Sequence, residues 1–166
     1  MKISISYSIN DTEMTKLESI TKDLETLLDD ITSKIIKNDD FISIFDVSEF
    51  SDSKDEEFLV DLYLTNDKEI KVLNSEYRSK DEATDVLTFA MHESEDDFIL
   101  PVMHLGEIIV SLDKVILQAK ANDHSEVKEL ACLIIHGILH LFGMHHDNDD
   151  AYNKVVGIQN SLLETI

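Results

Sequence analysis

Residues 130–147 decide how this chain folds; they read Leu-Ala-Cys-Leu-Ile-Ile-His-Gly-Ile-Leu-His-Leu-Phe-Gly-Met-His-His-Asp. Between Leu130 and Phe142, every residue is apolar except His136, Gly137 and His140. A helix that is apolar on nearly every side is typical of a buried helix. The sequence therefore predicts a central, buried helix that carries two imidazoles four residues apart.

The spacing of the histidines indicates a metal site. His136 and His140 project from one face of a helix, with roughly 5–6 Å between their Cβ atoms, so both ring nitrogens can reach one ion. Gly143 is of the residue type that commonly follows the end of a helix, and a turn there can bring His146 back to the pair. Three histidines with an open fourth position are typical of catalytic zinc sites. Two core histidines beside a His-rich helix end are the alternative interpretation.

The full pattern, His-x-x-x-His-x-x-Gly-x-x-His, is similar to the metal-binding motif of the metzincin proteases. Those proteases carry a glutamate after the first histidine, and this glutamate is their general base. Gly137 stands at that position here. The ligand set therefore resembles that of a catalytic zinc site, but the base of the proteases is missing.

Composition limits the classes of protein to which the chain can belong. Its 166 residues suit one domain spanning 1–166, and the sequence has no internal repeats or low-complexity linkers. The formal charge of −21 argues against unaided, charge-driven binding to nucleic acid or to an anionic membrane. Cys132 is the single cysteine. With no signal-like or spanning apolar run, we expect a cytoplasmic protein that needs no membrane.

Hydrophobic periodicity predicts an α+β fold, in which a mixed sheet is packed with helices. Strands are predicted at 3–9, 41–50, 58–64, 86–90 and 105–111, with 41–50 and 58–64 paired across a polar turn at 51–57. The first helix is predicted from Asn10 or Asp11 to 37, and residues 38–40 end it. Further helices are predicted at 66–77, 112–122 and 149–163, in addition to the histidine helix.

Two local predictions bear on the site. In the helix at 66–77, the spacing predicts that Ile70, Leu73 and Tyr77 face inward. At the start of the histidine helix, Asp123 and Glu126 have the spacing of a capping pair.

Arg78 is the only arginine in the chain, and every other basic residue is a lysine. An arginine offers a planar, permanently charged fork that suits phosphate oxygens. From composition alone, an ordinary surface or salt-bridging arginine is the commoner interpretation.

Three blocks of the sequence occur together in one known family. Residues 136–146, His-Gly-Ile-Leu-His-Leu-Phe-Gly-Met-His-His, match the pattern His-Gly-x-Leu-His-Leu-x-Gly-Tyr-Asp-His. Residues 73–90 match Leu-Asn-x-x-Tyr-Arg-x-Lys-Asp-x-Pro-Thr-Asp-Val-Leu-Ser-Phe-Pro, and residues 105–108, Leu-Gly-Glu-Ile, match Leu-Gly-Asp-Ile. With these blocks the chain resembles the YbeY endoribonucleases, the bacterial rRNA maturation factors.

The resemblance implies a zinc-dependent, single-strand-specific endoribonuclease. Such an enzyme acts in ribosomal RNA processing, notably at the 3′ end of the small-subunit RNA, and in ribosome quality control. Its partners are single-stranded RNA or rRNA and the small ribosomal subunit or its proteins. The implied residues are the metal ligands His136, His140 and His146, the functionally important Arg78, the basic position Lys80 and the acidic position Glu107.

The chain departs from the family pattern at several positions. His145 replaces an aspartate beside the third ligand, and Met144 replaces a tyrosine. Ala83 and Ala90 replace prolines, and Glu107 replaces an aspartate. These changes affect the fine geometry of the site rather than the class of enzyme.

The residues and the resemblance together suggest a mechanism. Zn²⁺ would be held by the three neutral histidines with a water in the open position, and Arg78 would hold a phosphate. A histidine site can also take Ni²⁺ on purification. Glu107, Asp85 and His145 are candidates for the acid or base, and an RNA 2′-hydroxyl is an alternative nucleophile. Two other functions stay open: a metal-dependent hydrolase of another substrate such as a peptide, and a non-catalytic ribosome-assembly factor with a structural metal.

Overall fold

A mixed sheet of four strands runs through the described part of the chain, which comprises residues 1–44, 57–91, 102–144, 149–164 and 166 in a computed structural model. The strands are β1 (Lys2–Ile9), β2 (Glu57–Thr65), β3 (Val86–Ala90) and β4 (Val102–Ser111). The helices are α1 (Met14–Ile20), α2 (Leu24–Ile35), α3 (Asp39–Ile44), α4 (Asp67–Arg78), α5 (Leu112–Ala121), α6 (Glu126–Leu141) and α7 (Asp149–Leu163). The prediction of an α+β fold with a mixed sheet is confirmed.

The strand order places β3 at one edge of the sheet. The order is β1-β2-β4-β3; β1, β2 and β4 are parallel, and β3 runs antiparallel to β4. Because strand side chains alternate between faces, the sheet has two different sides. One face packs on the main core with α6, and the other holds a small cluster of Ile70 from α4, Leu87 and Ile109. Helices α6 and α4 therefore lie on opposite faces, close to the β3 edge.

Helix α6 is buried over most of its surface, and its role as a metal-binding helix stays a prediction. Its N-cap is Ser125, whose hydroxyl accepts a hydrogen bond from the backbone N–H of Lys128 at 3.2 Å, so the predicted capping pair beginning at Asp123 is wrong. From residue 130 to 141, only Cys132, His136 and His140 are not fully buried. These three residues follow one another at four-residue steps, so they form the one line of the helix that opens away from the core.

The prediction of one helix from Asn10 or Asp11 to 37 is wrong, because two helices occupy this stretch. Thr21 adopts an extended conformation, with φ −141° and ψ 140°, and ends α1. The Asp23 carboxylate then caps α2 by accepting a hydrogen bond from the N–H of Thr26 at 2.9 Å. The apolar spacing continues across the break, which is why periodicity did not reveal it.

The predicted strand at 41–50 is wrong in its described part. Residues 39–44 form α3, and the side chain of Asn38 accepts a hydrogen bond from the N–H of Phe41 at 2.8 Å, in the manner of an N-cap. Asn38 thus begins a helix rather than ending one. The rest of that strand and the turn up to residue 56 lie outside the described residues. The strand predicted at 58–64 does exist as β2, but it pairs with β1 and β4.

No helix in the described residues is both long enough and apolar enough to span a membrane.

Candidate functional site

His136 and His140 lie side by side on the open line of α6. Their Nε2 atoms are 2.9 Å apart, and their rings cross at 71° with centroids 4.4 Å apart. Imidazole nitrogens bind Zn²⁺ at about 2.0–2.1 Å, so one ion can contact both atoms. The donor chemistry and the spacing of this pair therefore fit a shared metal ion.

The C-terminus of α6 turns back at Gly143, as the sequence predicts. The N–H of Gly143 donates to the carbonyl of His140 at 2.9 Å, and the N–H of Met144 donates to the carbonyl of Leu139 at 3.0 Å. This bond pair is the Schellman motif. Gly143 has φ +78°, a conformation that favours glycine. Met144 is buried in the core, so the chain returns toward the body of the protein.

The third predicted ligand stays a prediction. His146 and its neighbour His145 lie outside the described residues. Among the described residues, no group of three or more His, Cys, Asp or Glu side chains is arranged to hold a metal ion.

Gln159 of α7 is a site residue that sequence reasoning missed. Its Oε1 lies 3.1 Å from Nδ1 of His136, and its Nε2 donates to Sγ of Cys132 at 2.8 Å. An amide oxygen only accepts hydrogen bonds, so Nδ1 of His136 carries the proton and Nε2 turns its lone pair toward His140. Burial, helped by the charge of Glu129, raises the pKa of Cys132 to about 11, which keeps the thiol protonated.

A sequence signal for Gln159 did exist. It is a polar residue on the same face of α7 as the buried Val155 and Leu162, and it is only partly exposed. A polar side chain on the apolar face of a helix must find a partner inside the protein.

Arg78 and His140 line the same cleft, although they come from helices on opposite faces of the sheet. The cleft has a volume of about 310 Å³. Its lining residues are Tyr77, Arg78, Thr88, Phe89, Ala90, His140 and Leu141. The position of β3 at the edge of the sheet explains this shared cleft. The C-terminal ends of α4 and α6, which lie on opposite faces, both reach the cleft at this edge.

Local contacts hold the Arg78 guanidinium at the cleft. Its Nη2 donates to the carbonyl oxygen of Thr88 at 2.9 Å, and its Cζ lies 5.7 Å from the centre of the Phe89 ring. Behind it, the buried Asn74 side chain donates to the carbonyl of Glu82 at 2.8 Å and ties the following loop to α4. These contacts use only part of the five N–H donors of the guanidinium.

Glu107 lies on the other face of the sheet from the histidines. Its neighbour Ile108 lies against Gly137 of α6, so alternation turns Glu107 away from that helix. In the register it pairs with Asp61 of β2. Burial raises the pKa of Glu107, the charge of Asp61 raises it further, and His104 opposes the shift.

Asp85 and Lys80 also lie apart from the lining of the cleft. The Asp85 carboxylate accepts hydrogen bonds from the N–H of Val86 at 2.9 Å and from Nε2 of Gln118 at 3.0 Å, at the start of β3. Lys80 is exposed in the loop after α4. Of the predicted residues that are described, the structure brings together His136, His140 and Arg78 and does not bring the other three to this cleft.

A solved structure and several sequences are similar to this chain. The solution structure of a Thermotoga maritima protein matches with a TM-score of 0.59 and 29% sequence identity, and the match covers 97% of this chain and 87% of the other. An Endoribonuclease YbeY from Prochlorococcus marinus is 40% identical over 111 residues, which are 65% of this chain and 56% of that relative.

Two further relatives carry the same name. The Macrococcus caseolyticus protein is 39% identical over 111 residues, covering 66% of this chain and 72% of its own length. The Fusobacterium nucleatum protein is 43% identical over 96 residues, covering 58% and 59%. The match therefore spans less than two thirds of the Prochlorococcus and Fusobacterium relatives.

The family comparison covers more of the chain than the matches to these three sequences. The family model described as Endoribonuclease YbeY matches residues 23–166, which include α4, β3 and the whole of α6. The chain belongs to the Endoribonuclease YbeY family.

Proposed function

We propose that this chain is a metal-dependent endoribonuclease that cleaves single-stranded RNA in the cleft beside β3. The observation that supports the proposal most is the meeting of Arg78 and His140 in one cleft, with His136 beside His140. The family name adds that relatives cleave RNA internally.

The metal in this proposal is one Zn²⁺, with Ni²⁺ as a possible occupant on purification. His136, His140 and His146 would hold it, and the spacing of the first two supports this ligand set. When bound, Zn²⁺ polarises phosphoryl oxygens and lowers the pKa of water toward about 7.

The residues of the chain bind and orient the RNA in this mechanism. Arg78 donates N–H bonds to the scissile or a neighbouring phosphate and stabilises the charge that develops there. Thr88 and Phe89 hold the guanidinium in place before the RNA arrives, so little ordering is needed on binding. Because the histidine ligands are neutral, the charge of a bound ion would add to that of Arg78 and make this corner of a chain of net charge −21 locally positive.

Glu107, Asp85 and His145 are the candidates for the group that accepts the first proton. Glu107 and Asp85 lie outside the described cleft lining, whereas His145 adjoins the proposed third ligand. The RNA 2′-hydroxyl is the alternative nucleophile to water. The ends of the products separate the two routes, because a 2′,3′-cyclic phosphate forms only when the 2′-hydroxyl attacks.

A metalloprotease-like activity is disfavoured by the packing of α6. A Cβ built on Gly137 would lie 2.8 Å from Cγ2 of Ile108, which is fully buried. The position of the metzincin glutamate thus has no room for a side chain.

The place of the enzyme in the cell rests on the family resemblance. We propose that it acts in the cytoplasm on ribosomal RNA, at the 3′ end of the small-subunit RNA, and in ribosome quality control. The small subunit or its proteins would be its partner.

Cleavage of a single-stranded ribosomal RNA fragment by zinc-loaded protein tests the proposal. We expect the wild type to cut this RNA and leave the matching duplex intact, and His136→Ala to lose at least about 100-fold in rate because the ion loses a ligand. Equal cleavage by both proteins would point to a contaminating nuclease. A different result would favour the non-catalytic assembly factor: no cleavage by the wild type, together with ribosome co-sedimentation that persists in a folded His136→Ala variant. The net charge of −21 is the observation that favours this alternative.

Gln159→Leu is expected to weaken Zn²⁺ binding by about 10- to 100-fold, because His136 loses the partner that orients its ring. The measurement is the Zn²⁺ dissociation constant, obtained by competition with a chelator. Cys132→Ala is the matched control, since it removes only the second contact of Gln159 and should leave the affinity within about threefold. Unchanged affinity in Gln159→Leu would show that this hydrogen bond does not orient the ligand.

A further inference from the structure

Tyr77 lies at the cleft in an unexpected orientation. The spacing of α4 predicted an inward side chain, and this prediction is wrong: Tyr77 is 61% exposed, while Ile70 of the same helix is fully buried. Its ring nevertheless lines the cleft beside Arg78 and His140. A large aromatic side chain that is exposed at a candidate active site is a candidate for ligand contact.

Phe89 holds the Tyr77 ring in a fixed position. The two ring centroids are 5.2 Å apart, with the planes at 70°, which is an edge-to-face contact. The Phe89 ring also lies 5.7 Å from the Arg78 guanidinium carbon. The partly buried Phe89 ring therefore contacts both an exposed aromatic ring and the only arginine of the chain.

The charge of the protein explains why such a ring would be useful. Proteins that bind RNA through a broad basic surface draw most of their affinity from phosphate contacts. Here the net charge is −21, and Arg78 is the one lysine or arginine among the described residues that line the cleft. Stacking of bases on aromatic rings supplies affinity that depends on neither net charge nor base identity.

We propose that Tyr77 is the stacking platform for a nucleobase next to the phosphate held by Arg78. The proposal rests on the proposed function and deepens it, because it names the feature of RNA that the site selects. Bases in a duplex are stacked on one another, whereas those in a single strand can be splayed onto an aromatic side chain. Tyr77 would thus make the site selective for single-stranded RNA.

Steady-state kinetics on a short single-stranded RNA of mixed sequence test the proposal. Tyr77→Ala is expected to raise KM roughly tenfold and to change kcat by less than about twofold, since stacking binds RNA without touching the reacting atoms. Tyr77→Phe keeps the ring and should behave like the wild type. Tyr7→Ala is the matched control, because Tyr7 is also partly exposed but lies on β1 at the opposite edge of the sheet.

An RNA of the same length with abasic residues around the cleavage site separates stacking from a structural effect. On this RNA the wild type and Tyr77→Ala should have equal KM values, because no base is present to stack. An unchanged KM for Tyr77→Ala on the ordinary RNA, or the same rise on the abasic RNA, would overturn the proposal.

The nuclease activity and the stacking by Tyr77 can be disproved separately. If the zinc-loaded wild type cuts no RNA, the proposed nuclease activity fails. Fluorescence anisotropy with the same labelled RNAs then still tests Tyr77, with roughly tenfold weaker binding of the ordinary strand by Tyr77→Ala as the supporting result. Equal binding by both proteins would overturn the stacking proposal.

Discussion

Arg78→Ala is expected to reduce kcat/KM for single-stranded RNA by about 100- to 1000-fold, the effect of removing a preorganised donor from a developing charge. The guanidinium is held by Thr88 and Phe89 at the cleft that His140 also lines. No ion pair among the described residues uses Arg78, so its charge is available to a phosphate. The loss should appear in kcat as well as in KM, because charge on the phosphoryl oxygens grows in the transition state.

Two variants test which property of Arg78 matters: the planar shape of its guanidinium, its positive charge, or the position of that charge in the cleft. Arg78→Lys keeps a positive charge but loses the planar fork, so we expect a loss of roughly tenfold. Lys80→Ala removes a neighbouring charge that lies in the exposed loop beyond the cleft lining, and it should cost less than about threefold. If Lys80→Ala lowered the rate as much as Arg78→Ala, general attraction of RNA would explain both effects, and the specific role of Arg78 would be lost.

Local signals were sufficient to predict the helix at the centre of the site. The apolar run around His136 and His140 predicted a buried helix, and burial of its other faces follows from that run alone. Gly143 predicted the reversal of the chain, because the Schellman turn depends on a residue that tolerates positive φ. These features are encoded within a few residues of each other.

Features that depend on tertiary contacts could not be predicted in this way. The outward position of Tyr77 depends on the ring of Phe89, twelve residues later. The role of Gln159 depends on the packing of α7 against α6, and the strand partners of β2 depend on the order of the whole sheet. The break at Thr21 was hidden because the apolar positions of α1 and α2 keep helical spacing across it.

Gly106→Ala is expected to destabilise the protein by about 3–5 kcal/mol, through a clash and a strained backbone together. Gly106 has φ +146°, and a Cβ built there would lie 2.0 Å from the carbonyl oxygen of Phe89. Its register partner is Ala90, at the end of β3. The methyl group must therefore push β3 away from β4. The measurement is the free energy of unfolding, obtained from urea denaturation. This free energy is only about 5–15 kcal/mol for a whole domain, so the expected loss is large.

Two other glycines of the chain provide the controls for that value. Gly157→Ala in α7 adds a Cβ with no atom within 4 Å, so removing a helical glycine should stabilise the protein by up to about 1 kcal/mol. The stability of Gly137→Ala should lie between those of the other two variants. Removing a helical glycine stabilises it, but the new Cβ would lie only 2.8–3.1 Å from side-chain atoms of Ile108. Equal unfolding midpoints for Gly106→Ala and Gly157→Ala would contradict the close approach of β3 to β4. That approach also sets the site, since Phe89 and Ala90 line the cleft together with Arg78 and His140. A folded Gly106→Ala protein should therefore lose RNA cleavage beyond its loss of stability.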